Sequence, residues 1–257
     1  MALGINELVA LLDQELKPEL FKDYCPNGLQ VEASSGPDAK VKKIVTGVTA
    51  CQALIDRAIE LNADAILVHH GYFWRGEEAV ITGMKRRRIQ ALLENGISLL
   101  AYHLPLDAHP TLGNNAELAR KMGWQVYGGL DPAARLPVGN WGKTGSALSL
   151  AELGGALGSE LGRTPLTIAG GDHDIKTLAW CTGAAQSMID QALALGVDAF
   201  VSGEISESTV HFARENGIHY LSAGHHATER YGVQALAKWL ARETGIEHEF
   251  VDIDSPV

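Results

Sequence analysis

The sequence predicts an α/β protein built as two pseudo-symmetric lobes. Three observations carry that expectation: the chain repeats itself, each copy alternates strand-like and helix-like runs, and the composition supports a substantial core. Ile44 through His70 aligns without a gap to Leu178 through Glu204. Identities in that register include Ala50/Ala184, Gln52/Gln186, Ile55/Ile189, Asp56/Asp190, Ala58/Ala192, Leu61/Leu195, Asp64/Asp198 and Ala65/Ala199. Internal self-similarity of this kind marks a duplicated supersecondary unit. The 257 residues are 46% hydrophobic and 20% charged, which excludes a disordered chain.

Each copy runs in the same order. A β-rich run (Lys43 to Val48; Thr177 to Thr182) leads into a helix with apolar residues at helical spacing (Leu54, Ala58, Leu61; Met188, Ala192, Leu195). A short apolar strand follows (Ala65 to Val68; Ala199 to Val201), then a second helix closed by Asn95-Gly96 or Asn216-Gly217. Glycine there accepts the left-handed conformation of a helix C-terminus. A further strand completes each copy (Ile97 to Tyr102; Ile218 to Ala223). Strands alternating with helices pair in parallel and are covered by those helices. Ahead of the first copy, Asn6 to Leu16 reads as an amphipathic helix with Asn6 as N-cap. Residues 1–126 are expected to form the first lobe with that helix, the Gly- and Pro-richer 127–174 a connecting segment, and 175–257 the second lobe.

Charge and composition narrow the function. Lys and Arg number 21 against 31 Asp and Glu, a formal net charge of −10. That balance argues against broad nucleic-acid binding, which depends on cations displacing counterions from phosphates. Lys85-Arg86-Arg87-Arg88 is a local exception, read as a solvated helix face with a phosphate contact as the alternative. Cys25, Cys51 and Cys181 have neither disulfide-framework nor CxxC spacing. No apolar run approaches the roughly 20 residues of a membrane span, and a cytoplasmic protein is expected.

Metal-binding and proton-moving side chains collect where the strands end. His69-His70 follow the second strand of the first copy, and His103 with Asp107 follow its third. Glu204 and then His225-His226 with Glu229 occupy the matching ends of the second copy. Ligands of open α/β sheets bind beyond the carboxyl ends of strands, so a metal cleft between the lobes is expected. Imidazole with carboxylate suits Zn, Fe, Mn, Ni or Co better than the all-oxygen shell of Ca. Adjacent histidines on an extended backbone point to opposite sides, so His69 and His70 suit two different ions better than one. His225 and Glu229 share a helix face, and the spacing leaves open whether His225 or His226 is the ligand. Two ions sharing a carboxylate can activate water and clamp a reacting oxygen. His109, His173, His211, His219 and His248 read as ordinary structural residues, as does Tyr102. Phe73 and Trp74 read as packing or subunit contacts, with a base-stacking platform for a nucleotide as the alternative, and no phosphate-loop or GxSxG signature occurs.

Five segments resemble the NIF-three-like family: Pro26-Asn27-Gly28-Leu29-Gln30-Val31-Glu32, Val68-His69-His70-Gly71-Tyr72-Phe73-Trp74, Tyr102-His103-Leu104-Pro105-Leu106-Asp107, Gly113-Asn114-Asn115 and Gly224-His225-His226-Ala227-Thr228-Glu229-Arg230. The resemblance runs from about Asn27 to Asp254. It implies a dinuclear centre of two divalent ions at His69, His70, Asp107, His225 and Glu229, thereby choosing His225 over His226, and Mg joins the candidate ions. It also implies a ring-shaped homohexamer. Bacterial members carry the label GTP cyclohydrolase 1 type 2 homologue, which implies a metal-dependent hydrolase or cyclohydrolase opening the guanine imidazole ring. Glu204 is expected to support a ligand or transfer a proton and not to be a ligand itself, and Glu204 or His103 to move protons in such a reaction. The rival readings are a non-catalytic metal-binding scaffold or metal carrier, and a repair-associated ring that binds nucleic acid.

Overall fold

The computed structural model describes residues 2–33 and 39–257. Its elements begin with β1 (Leu3–Gly4), α1 (Ile5–Leu16), β2 (Gly28–Val31), β3 (Lys40–Val41) and β4 (Lys43–Thr49). Next come α2 (Gln52–Glu60), β5 (Ala65–His70), α3 (Gly83–Glu94), β6 (Ser98–Ala101) and α4 (Leu104–Ala108). The middle of the chain forms α5 (Asn114–Met122), β7 (Gln125–Gly129), β8 (Asn140–Leu148), α6 (Leu150–Leu161), β9 (Leu166–Ile168) and β10 (Ile175–Cys181). It ends with α7 (Ile189–Ala194), β11 (Ala199–Ser202), α8 (Glu207–Asn216), β12 (His219–Ser222), α9 (His225–Thr244) and β13 (Glu247–Phe250). The fold is mixed α/β, and no helix among the described residues is long and apolar enough to cross a membrane.

The chain divides into two compact units. The first comprises residues up to Leu106 together with Val233–Ile253. Its five-stranded sheet has the order β13-β4-β5-β6-β2. The parallel centre is in register at Ile44↔Ala65 and Ala65↔Ser98, as expected when helices carry the chain back between strands. Leu54, Ile55, Ile66, Val68, Leu92 and Leu99 pack one core of this unit. Helix α1 buries Leu8, Leu12 and Leu16 along one stripe. Its N-cap is Gly4, not Asn6: the Gly4 N–H donates to the Glu7 carboxylate at 2.7 Å, so the helix starts earlier than the side-chain signal suggests.

The second unit comprises Asp107–Gly232 and Asp254–Val257. Its sheet has the order β7-β8-β10-β11-β12-β9, with the parallel centre in register at Leu178↔Ala199 and Ala199↔His219. Successive strand residues face opposite layers. Leu178, Trp180, Val201 and Leu221 join α5 and α6 on one side, whereas Ala179, Cys181, Phe200 and Tyr220 pack with α7 and α8 on the other.

These boundaries differ from the sequence expectation in two places. The stretch 127–174 is not merely connecting: it supplies most of β7, all of β8 and β9, and α6 to the second unit. Residues 233–253, expected in the second lobe, belong to the first unit because β13 pairs in parallel with β4 at Glu247↔Lys43. Neither partnership leaves a mark in local periodicity.

Both units use the same device to seat their first parallel strand. Asp64 Oδ2 accepts the N–H groups of Lys42 and Lys43 at 2.7 and 2.9 Å. Asp198 Oδ2 accepts those of Lys176 and Thr177 at 2.9 and 2.8 Å.

Candidate metal centre

In the first unit three imidazoles gather at the carboxyl ends of β5 and β6. His69, the fifth residue of β5, is fully buried, and its Nδ1 donates to the Tyr102 carbonyl at 3.0 Å. A carbonyl only accepts, so the Nδ1 proton is fixed and Nε2 carries the lone pair of the neutral ring. His70 Nδ1 lies 3.1 Å from Thr49 Oγ1. His103 Nδ1 donates to Asp23 Oδ1 at 2.6 Å. Ring centroids stand 4.5 Å apart for His69 and His70, and 5.1 and 5.8 Å from each to His103. The two adjacent rings therefore converge. His70 is the last residue of β5, where the regular pleat that would separate them ends. Trp74 stands edge-on to His103 at 5.0 Å, so the residue expected to pack also walls the cluster.

The Phe21–Asn27 stretch is the clamp on His103. Asp23 accepts from His103 and from the Tyr24 N–H on Oδ1, and from Asn27 Nδ2 and the Leu104 N–H on Oδ2. Asn27 Oδ1 in turn accepts the His103 N–H at 2.8 Å. Burial opposes ionisation of Asp23, but the donors from His103 and Asn27 outweigh it and hold the carboxyl at about 2. Beside it, burial and the Asp23 charge push the Cys25 thiol up to about 12, so this sulfur stays protonated.

The second unit offers two buried carboxylates and one imidazole. Asp107 is 5% and Glu229 3% exposed, and each presents an oxygen within 4.8 Å of the other. Asp107 Oδ1 accepts from Asn114 Nδ2 at 2.8 Å and from Thr182 Oγ1 at 3.4 Å. Asn114 is itself fixed by the Gly232 N–H, and Asn115 ties the Asp107 carbonyl to the Thr182 N–H. His225, at the start of α9, has Nδ1 2.7 Å from Glu204 Oε1 and Nε2 3.1 Å from Glu229 Oε2. Burial alone would lower the His225 pKa, but Glu229 and then Glu204 outweigh it and raise it to about 9. His226 engages the chain through its N–H, which donates to the Val257 carbonyl. Gly183 makes the close approach possible: at φ +69°, a Cβ there would stand 2.1 Å from Glu229 Oε1 and 3.2 Å from His225 Nε2.

Divalent ions fit these donors. Two carboxylates buried within reach of each other repel and favour a cation. An ion at His225 Nε2 would replace the proton now shared with Glu229, while Glu204 holds the other nitrogen, the arrangement usual for metal-ligating histidine. His69, His70 and His103 likewise have Nδ1 held by oxygen. Sequence reasoning missed Asp23, Asn27, Thr49, Thr182 and Gly183. Asn27 and Asn114 lie in motifs quoted above, but their type alone does not reveal which side chains they hold. Lys85 is also committed: it pairs with Glu77 at 3.2 Å, donates to the Glu78 carbonyl and stands over the Phe73 ring.

The class so defined is a mixed α/β protein with oriented histidines and buried carboxylates, side chains that could hold a metal ion, on and just after its strands. The chain belongs to the Duf34/NIF3 (NGG1p interacting factor 3) family, whose model matches residues 3–256. It is 55% identical over 253 residues to a GTP cyclohydrolase 1 type 2 homolog of Vibrio cholerae serotype O1, covering 98% of each chain. A protein of the same name from Pseudomonas aeruginosa is 52% identical over 256 residues, with all of both chains covered. Among solved structures, the protein ybgI, described as of unknown function, is 49% identical with a TM-score of 0.93, covering 99% of this chain and 100% of that one. A Thermus thermophilus protein is 33% identical with a TM-score of 0.88 over 99% and 100% of the two chains.

Proposed function

We propose that His69, His70, Asp107, His225 and Glu229 together hold two divalent metal ions, and that the protein is a metal-dependent hydrolase or cyclohydrolase of a nucleotide-like small molecule. The observation that carries this reading lies within the second unit: Glu204 anchors His225 beside the buried Glu229, with the buried Asp107 next to it, a cost in desolvation that a resident cation offsets. The relatives' printed name, GTP cyclohydrolase 1 type 2 homolog, supports the substrate class. When bound, such ions supply Lewis acidity and lower the pKa of water.

The chain's own residues supply the rest. Glu204 positions His225 through Nδ1. His103, clamped by Asp23, directs its opposite nitrogen away from the carboxylate and is the group we assign to proton transfer. Trp74, beside His70 and His103, limits the water around them. The family resemblance further supports a ring-shaped homohexamer in the cytoplasm.

Elemental analysis of protein purified without added metal, with a GTP assay on the same sample, tests the reading. About two ions per chain, lost in Asp107→Ala and Glu229→Ala, with ring opening of GTP, is the expected result. Two ions without turnover on any nucleotide would favour a metal carrier. Negligible metal that added divalent ions cannot restore would overturn the proposal.

A further inference from the structure

A cavity of about 470 Å³ opens within the second unit, lined by His109, Arg120, Trp124, Arg135, Pro137 and, at one side, Asp107. Its volume lies within the roughly 300–1,000 Å³ of small-molecule sites. We propose that this cavity binds the phosphate-bearing part of a nucleoside phosphate; the inference rests on the function proposed above, because Asp107 belongs to both.

The lining has the chemistry for such a ligand. Trp124 is nearly buried and packs against Trp180 at 5.0 Å between ring centroids, which makes a rigid aromatic wall. Arg135 is exposed, and among the described residues it has no hydrogen bond or ion pair. A guanidinium so placed is matched in shape and charge to phosphate oxygens. Arg120 differs: its Nε and terminal nitrogen fork onto Glu117 at 3.1 and 2.6 Å, so its charge is already answered and it serves as wall. His109 Nδ1 accepts the Leu112 N–H at 3.0 Å, so the neutral ring carries its proton on Nε2. An aromatic and proline wall beside an unengaged guanidinium is what a compound with both a ring and a phosphate requires.

Calorimetric titration of the full chain, as purified, with GMP and with guanosine tests this. GMP is expected to bind more tightly than guanosine, and Arg135→Gln to weaken GMP by about tenfold or more, the size of a lost charge-assisted hydrogen bond. The same variant should leave guanosine unchanged. Arg214→Gln, on an exposed position of α8 outside the cavity lining, makes the same charge change and should leave GMP unchanged. No GMP binding, equal affinity for guanosine, or equal GMP affinity in Arg135→Gln would each overturn the proposal. Metal content measured on the same samples separates the two readings. GMP binding lost in Arg135→Gln in protein that cannot hold metal leaves the cavity standing and removes the proposed metal chemistry. Two ions per chain with GMP indifferent to Arg135 does the reverse.

Discussion

The Asp23 carboxylate meets the His103 imidazole at 2.6 Å across 80 residues of chain. Each Asp23 oxygen accepts two donors, so this one side chain fixes both the ring and the backbone that carries it. Asp23→Asn puts an amide where only acceptors fit, and should cost about 1–3 kcal/mol at neutral pH. The pH dependence has a definite sign. A carboxyl held at about 2 against its ordinary 3.8 contributes stability above 3.8 and loses it as pH falls towards 2. Urea unfolding should therefore show the gap between wild type and Asp23→Asn closing through that window.

Asp198 makes a second pH-linked prediction. Burial opposes its ionisation, but the Thr177 and Lys176 N–H groups and the Thr177 hydroxyl outweigh it, and its pKa lies below the ordinary value. Its contribution is present above 3.8 and is lost as pH falls below. Asp198→Ala should cost about 1–3 kcal/mol at pH 7 by leaving two strand N–H groups unmet, and Asp64→Ala should act in the same direction. Denaturant midpoints at neutral and acid pH check the first, and the midpoint at pH 7 checks Asp64→Ala.

Gly183 and Gly196 share φ +69° but not their surroundings. Nothing stands within 4 Å of a Cβ at Gly196, so Gly196→Ala should cost only the backbone strain, about 1 kcal/mol. Gly183→Ala drives a methyl into Glu229 and should lower both the melting temperature and the bound metal. Melting curves with metal counts on the two variants distinguish strain from displacement of Glu229.

Glu204 reaches the proposed centre only through His225. Glu204→Gln should keep the fold and weaken metal affinity by about 10–100-fold, the usual effect of losing the partner that orients a ligating histidine. Competition with a chromophoric chelator measures it, and unchanged affinity would remove Glu204 from that role.

The α/β alternation was legible because β4, β5, β10 and β11 are apolar runs with amphipathic helices between them. The candidate ligands stood out as candidates because His and carboxylates cluster just after strand-like runs. Asp23 was not legible, since one aspartate in a turn carries no sign of a histidine 80 residues away. Nor was the β13–β4 pairing, because an apolar pattern names a face and leaves the neighbour unspecified. The N-cap at Gly4 escaped for a related reason: the Glu7 carboxylate does the capping that Asn6 was expected to do.

The placement of β13 against β4 orders events on the ribosome. Asp107–Gly232 is one contiguous stretch and can gather its six-stranded sheet as soon as it emerges. The earlier-made unit must wait, with the β4 edge open, until residues 247–250 have been translated some two hundred residues later. Until then an unpaired edge strand is a template for any passing chain. The nascent protein is thus exposed to mispairing longest in the part synthesised first, and a stall or cut just after Gly232 should yield a sticky fragment where one after Phe250 leaves the sheet ending on the short β13, whose Glu247 and Glu249 guard its edge.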